Sequence, residues 1–232
     1  MSKENNTNYL VIALSSGKLF KPSIQLLERI GIDLKGVKEI NRKLAFFNRE
    51  KKIKFVITRP KDNPTYVECG AADIGIVGED VLLEEKKDVY KLLDLKFGKC
   101  KMVLAAPEEK KQEKYYKNNG HRLRVATKYP CIAGNYFKEK EIHVELIKLY
   151  GSVELAPQVG LADMIVDIVS TGRTLKENKL TIVDEIIPLS AQLIVNRISY
   201  KTKHKRITKF LQDIKRLISL ESIKLQNGRR TE

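Results

Sequence analysis

Residues 9–31 read YLVIALSSGKLFKPSIQLLERIG, and the fold follows from how that stretch divides. The run YLVIAL at 9–14 is short, apolar and uninterrupted, which predicts a strand buried on both faces. The polar tetrapeptide Ser15-Ser16-Gly17-Lys18 breaks it. Ile24, Leu27 and Ile30 then recur at helical spacing, Pro22 falls where a first helical turn tolerates it, and Gly31 suits the end. The segment is a strand, a tight polar turn and a helix.

The same unit returns along the chain. Strands are predicted at 53–58, 73–77, 100–106, 123–127, 143–149, 164–169, 180–187 and 191–196. Helices are predicted after Asp62-Asn63-Pro64, from Asp80 as a cap to residue 85, and over 131–139, 153–159, 175–178 and 202–220. In the last of these, Ile207, Phe210, Leu211, Ile214, Leu217 and Ile218 form one apolar side. Alternation of strand and helix predicts an α/β protein with mainly parallel sheets and helices on their faces. The pattern restarts near residue 100, so two domains are expected, 1–100 joined by 190–232 and 101–189. The strands near 100–106 and 191–196 are expected to form the hinge. No fixed-period repeat is visible, and residues 221–232 are expected to be disordered.

Composition narrows the function. The chain has 232 residues, with no apolar stretch near the roughly 20 residues of a membrane span and no signal-peptide core. A cytoplasmic protein without a membrane partner is expected. Cys69, Cys100 and Cys131 are scattered, as are His121, His143 and His204, which gives no zinc spacing. The cysteines read as buried reduced thiols. The net charge of +15 raises the question of nucleic acid. Its excess lies in 110–124 and 201–230, without stacking aromatics or a finger motif, so nucleic acid is not expected as a partner.

Ligands of open α/β sheets sit beyond the carboxyl ends of strands. The turns at 15–18, 59–63, 127–130, 150–152 and 170–174 fall there, and each carries small, hydroxyl or basic residues. The sharpest is DIVSTGRT at 167–174. Gly172 allows close backbone approach, Ser170, Thr171 and Thr174 offer hydroxyls, and Asp167 can accept from sugar hydroxyls. The same letters also fit an ordinary strand–turn–helix with Ser170 or Thr174 as the cap.

STGRT after an acid resembles the ribose-5-phosphate loop of phosphoribosyltransferases. GSVELAP at 151–157, GLADMIVDIVSTGRTL at 160–175, ATKYP at 126–130, PTYVECGAADIGIVGED at 64–80 and LIVNR at 193–197 resemble the ATP phosphoribosyltransferase family in particular. The resemblance runs from about residue 9 to 217. It implies two periplasmic-binding-protein-like (type II) lobes around a cleft, and it is with the short form, which lacks a C-terminal regulatory domain. Two departures stand out. The first turn has Ser16-Gly17-Lys18 where a Lys-Gly-Arg core is usual, and lysine cannot make the bidentate phosphate contact of arginine. Cys131 stands where asparagine is usual.

The implied reaction joins N1 of ATP's adenine to C1 of phosphoribosyl pyrophosphate and releases pyrophosphate, with Mg²⁺ on the pyrophosphate. It opens histidine biosynthesis. The implied roles are as follows. Ser170, Thr171, Gly172, Arg173 and Thr174 hold the 5-phosphate and Asp167 the ribose hydroxyls. Arg59, Arg42 and Lys18 neutralise polyphosphate, and Gly17, Lys128 and Glu154 line the nucleotide side. The implied partners are further copies of the chain, in a dimer or other small homo-oligomer, and a regulatory subunit resembling histidyl-tRNA synthetase. The competing reading of the same fold is a ligand-binding module without catalysis.

Overall fold

The computed structural model describes residues 9–34, 44–110 and 122–228, with side chains to 221. Among them, residues up to Gly98 and from Ser190 form one unit, and Lys99–Leu189 the other. The first unit runs β1 (Leu10–Ser15), a 3-10 turn (Gly17–Leu19), α1 (Phe20–Arg29), β2 (Ala45–Asn48), β3 (Ile53–Thr58), α2 (Asn63–Glu68), β4 (Ile74–Gly78), α3 (Glu79–Glu85) and β5 (Tyr90–Asp94). The second holds β6 (Cys100–Pro107), β7 (Leu123–Thr127), α4 (Pro130–Glu139), β8 (Val144–Lys148), α5 (Leu155–Gln158), β9 (Met164–Val169), α6 (Arg173–Glu177) and β10 (Leu180–Leu189). The chain then returns to the first unit for β11 (Ala191–Val195), α7 (Arg197–Thr202) and α8 (His204–Gly228).

The sheet of the first unit has the order β2-β3-β1-β4-β11-β5, and that of the second β10-β6-β9-β7-β8. The strand–helix units supply a parallel centre in each, β3-β1-β4 and β9-β7-β8. The sheets are mixed rather than mainly parallel. β2 folds back on β3 as a hairpin, and β11, β5, β6 and β10 add antiparallel edges. The two strands expected as a hinge, β6 and β11, lie in different sheets; the chain passes between units at Gly98–Lys99 and Leu189–Ser190.

Core packing accounts for the helices. Ile24, Leu26 and Leu27 of α1 pack with Leu10, Ile12 and Leu14 of β1, and Ile207, Phe210, Leu211 and Ile214 of α8 join the same cluster. In the second unit, Ile132, Ala133, Tyr136 and Phe137 of α4 close over Met102, Val125 and Met164. No helix of the described residues is long and apolar enough to cross a membrane.

A device absent from the sequence reading occurs once in each unit. CGAADIGIV (69–77) and VGLADMIVDIV (159–169) both leave a short helix through a left-handed glycine, Gly70 (φ 73°) or Gly160 (φ 70°). A buried alanine follows, then an aspartate. The Asp73 N–H donates to the Val11 carbonyl at 2.8 Å, and its carboxylate accepts from the Val11 N–H at 2.8 Å. Asp163 does the same with Arg124, at 2.8 and 2.9 Å. Each aspartate thereby sets where its strand begins against the central neighbour.

Other expectations are corrected. Cys69 and Cys131 are exposed and Cys100 half-buried, though none forms a disulfide. The 202–220 helix is two helices. Lys203 lies between them, and its ammonium reaches the Tyr9 carbonyl at 2.9 Å and Asp73 at 2.7 Å. The backbone stays helical to Gly228, past the expected end, and 229–232 lie outside the described residues. Gly78, not Asp80, occupies the cap of α3.

Candidate active site

In the first unit, β1, β3 and β4 run parallel, with Ser15 beside Thr58 and Leu14 beside Ile76. Their carboxyl ends therefore share one edge, and the turns that follow lie together there. Hydrogen bonds fix this edge. The Ser16 N–H donates to the Thr58 carbonyl at 2.8 Å, and the Ser15 hydroxyl to the Ile76 carbonyl at 2.8 Å. Buried Asn63 donates from Nδ2 to Thr58 Oγ1 at 3.2 Å, and the N–H groups of Asp62 and Asn63 reach the Arg59 carbonyl at 3.1 and 3.2 Å. The main chain of Arg59 is held on both sides while its side chain is exposed. Gly17 has φ 81°, with open space where a Cβ would stand. Gly17, Lys18 and Arg59 are thus brought to one edge. Arg42 lies outside the described residues.

Thr58, Asn63 and a polar chain through Gln192 were missed in the sequence. Gln192 is buried, and its Nε2 donates to Glu79 at 3.2 Å and to the Ser190 hydroxyl at 2.9 Å. Ser190 donates in turn to Asp94 at 2.7 Å. Burial raises the Asp94 pKa, but the hydrogen bonds from Lys96 and Ser190 outweigh it, and the carboxyl lies below its ordinary range. The signal was a glutamine inside the apolar run AQLIV, at the edge where β4 ends.

In the second unit, β7, β8 and β9 run parallel, with Thr127 beside both Lys148 and Val166. Thr127 organises this edge. Its hydroxyl donates to the Val166 carbonyl at 2.7 Å and accepts the Tyr129 N–H at 2.9 Å, while its carbonyl accepts the Leu149 N–H at 2.9 Å. The turns at 128–129, 149–152 and 170–172 therefore share one edge, which brings Lys128, Glu154 and the 170–174 loop to the same end of the sheet. Lys128 and Glu154 are half-buried and make no ion pair among the described residues.

The 170–174 loop is open. Gly172 caps α6 at φ 75° and ψ −3°, a left-handed conformation that favours glycine, and nothing lies within 4 Å of a Cβ built there. Neither Ser170 nor Thr174 caps the helix. The Thr171 hydroxyl accepts the Arg173 N–H only at 3.5 Å, a weak bond that an incoming anion can replace. The Arg173 guanidinium turns along the helix to Glu177 at 2.7 Å and is largely exposed. Asp167 sits half-buried on β9 and accepts its neighbour's N–H, from Ile168, at 2.8 Å.

The cations near the strand ends divide by partner. Lys203 pairs with Asp73, Arg124 with Asp163, and Arg197 with Asp88 at 2.7 Å. The Asp88 carboxylate and the nearby Tyr90 hydroxyl raise the Arg197 pKa further. Lys18, Arg59 and Lys128 make no ion pair among the described residues. Charges of this second kind are available to a phosphorylated ligand.

Comparison with known proteins agrees with these observations. The family model for ATP phosphoribosyltransferase (HisG) matches residues 59–216. An ATP phosphoribosyltransferase of Lachnoclostridium phytofermentans is 50% identical over 213 residues, covering 91% of this chain and 98% of the relative. One from Syntrophotalea carbinolica is 49% identical over 213 residues, covering 92% and 97%. Among solved structures, the ATP phosphoribosyl transferase (HisG:HisZ) complex from Thermotoga maritima is similar at TM-score 0.76 and 37% identity, covering 90% of this chain and 98% of that one. The periplasmic aliphatic sulphonate binding protein SsuA of Escherichia coli is similar in fold alone, at TM-score 0.56 and 13% identity, over 95% of this chain and 76% of that one.

Proposed function

The chain belongs to the ATP phosphoribosyltransferase family, and from that premise we infer how the residues at its two sheet edges divide the work of the reaction. It is a pentosyltransferase on the two-lobed periplasmic-binding-protein-like fold. N1 of the ATP adenine forms a bond to C1 of the ribose, the bond from C1 to the pyrophosphate oxygen breaks, and the electron pair leaves with pyrophosphate. Such chemistry needs a held sugar and a stabilised leaving group more than a protein nucleophile.

The observation that carries the assignment is the open Gly172 turn at the carboxyl end of β9. Ser170, Thr171, Gly172, Arg173 and Thr174 receive the 5-phosphate. Arg173 does so through its backbone N–H, because its guanidinium is engaged by Glu177. Asp167 accepts from the ribose hydroxyls. Arg59 and Lys18 meet the polyphosphate, with Arg42 assigned to the same role from its sequence motif alone. Gly17, Lys128 and Glu154 line the nucleotide. Among the described residues no cluster of three or more His, Cys, Asp or Glu side chains could hold a metal. Mg²⁺ enters as part of the substrate, because it binds pyrophosphate oxygens and water more readily than an all-protein cage.

A HisZ-like subunit is the partner this reading assigns, on the likeness to the Thermotoga complex. A homodimer in the cytoplasm completes it. The test is pyrophosphate release by the purified chain given ATP and phosphoribosyl pyrophosphate, with and without that subunit. Release that requires both substrates supports the reading. Binding of either without release in both preparations would instead leave a ligand-binding module.

A further inference from the structure

The turn that carries Gly17 and Lys18 ends on Leu19, whose side chain is half-buried against the core of the first unit. Two glycines make room for it. A Cβ at Gly98 would stand 2.5 Å from Leu19 Cδ2, and one at Gly78 would stand 3.8 Å from Leu19 Cδ1. Gly98 is left-handed (φ 64°) and is the last residue of the unit before the chain crosses to Lys99. Gly78 ends β4. The backbone around these glycines is fixed. The Ala191 N–H donates to the Phe97 carbonyl at 3.0 Å, the Leu95 N–H to the Ala191 carbonyl at 2.9 Å, and the Glu79 N–H to the Ser190 carbonyl at 3.0 Å.

We infer that Leu19 is a positioning residue for the reaction. Its isopropyl group, seated between Gly78 and Gly98, holds the 16–18 turn at a set place relative to Arg59. The hydrogen bond from Ser16 to Thr58 fixes only the turn's entry; its far end has the Leu19 contact and the bond from the Ser23 hydroxyl to the Leu19 carbonyl at 2.7 Å. Gly17, with open space on its Cβ side, contributes no packing of its own. A turn pinned at one end alone presents its N–H groups and the Lys18 ammonium over a spread of positions. Binding then loses the advantage of preorganisation. This rests on the reading that the turn meets the polyphosphate of a substrate.

The experiment is a double-mutant cycle on the complete chain, with its HisZ-like subunit present if turnover requires it. Leu19→Ala, Leu19→Met, Gly98→Ala, the Leu19→Ala/Gly98→Ala pair and Lys18→Ala are compared in steady-state kinetics, with thermal unfolding alongside. Leu19→Ala is expected to raise KM for a polyphosphate substrate by about tenfold with a smaller change in kcat, the signature of lost positioning in binding. Leu19→Met, close in volume, should return KM to within about twofold of the parent. Gly98→Ala should lower kcat/KM by about 30-fold alone but by no more than about threefold in the Leu19→Ala background, because the colliding Cδ2 is gone.

Additive losses in the cycle, or parent kinetic constants in a Leu19→Ala protein whose only change is a lower Tm, would overturn the inference. Lys18→Ala separates the two levels. If it leaves both KM values unchanged, the assignment of the turn to polyphosphate fails; if it raises one while Leu19→Ala raises neither, only the role of Leu19 fails. Should Gly98→Ala not fold, Gly78→Ala is no substitute, since Asp80 also crowds that position, and the Leu19→Ala and Leu19→Met pair decides by itself.

Discussion

Gly172→Ala separates the fold's need for a glycine from the ligand's. Gly172 lies at φ 75°, and the added methyl meets no atom within 4 Å. The cost to the free protein is then the left-handed strain of an L-residue, about 1–2 kcal/mol. Loss of glycine's entropy in the unfolded chain offsets about 0.4–1 kcal/mol of that. The expected loss of stability is about 0–1.6 kcal/mol, and the variant should fold. The ligand meets a different situation. A 5-phosphate seated on the N–H groups of this turn occupies the open space that the methyl would enter. Displacing it forfeits one or two hydrogen bonds to a charged group, at about 1.5–3 kcal/mol each. One such loss predicts an affinity for phosphoribosyl pyrophosphate lowered by about 10- to 100-fold, since 1.4 kcal/mol is a factor of ten. Calorimetric titration with this substrate reads the affinity, and urea unfolding reads the stability. Unchanged affinity beside the expected small loss of stability would refute the phosphate assignment. A large loss of stability would refute the open-space argument instead.

Arg59→Ala is expected to lower turnover by about 10²–10³ if the guanidinium meets charge developing on pyrophosphate, and Arg59→Lys to recover part of it; a loss under about threefold, with chemistry rate-limiting, would return Arg59 to the surface. Asp73→Ala strands the Val11 N–H, the Ser199 hydroxyl and the Lys203 ammonium, and should cost about 3–5 kcal/mol in urea unfolding with both KM values retained. The Asp184 carboxyl is held below its ordinary range by Lys140 and the Tyr136 hydroxyl. It therefore contributes stability that is complete above its unfolded pKa, about 3.9, and is lost as pH falls through the lower folded value; Asp184→Asn should flatten that limb of the pH–stability curve, and identical acid limbs would contradict the pairing. The isolated chain should keep its turnover under micromolar histidine at saturating substrates and acquire inhibition with the HisZ-like subunit. Strong inhibition of the chain alone would place an allosteric site within it.

The central strands were legible because each is buried on both faces and reads as an apolar run. Residues 53–58, 123–127 and 164–169 became β3, β7 and β9 with those bounds. The edge strands of the first sheet, β2 and β5, were not. β2 reads AFFN with Ala45 and Phe47 exposed, and β5 reads YKLLD with only half-buried apolar positions. A strand of four or five residues with one neighbour and one wet side shows no periodicity long enough to separate it from a loop. The sheets became mixed mainly through β11, β6 and β10, which were expected as strands but whose direction an apolar run does not encode. The 170–174 loop was legible as a motif, yet its cap was not, since the hydroxyl residues that favour caps leave the position to a left-handed glycine.

The family signature mixes two kinds of residue that look alike in a string of letters, and only partners separate them. In GAAD and GLAD the aspartates bond to the start of a neighbouring strand. In LIVNR, Asn196 accepts from the N–H groups of Ile198 and Ser199 and donates to the Val67 carbonyl at 2.8 Å, while Arg197 is spent on Asp88. These residues build the sheet ends. Lys18, Arg59 and Lys128 stand at the opposite, carboxyl ends of the parallel strands, with no ion pair among the described residues. A cation left unpaired beside a well-bonded strand end is not needed by the fold at that place, whereas a substrate bearing several phosphates supplies the missing charge. On the proposed function, a polyphosphate substrate meets Lys18, Arg59 and Lys128 and leaves the pairs of Asp73, Asp163 and Arg197 intact.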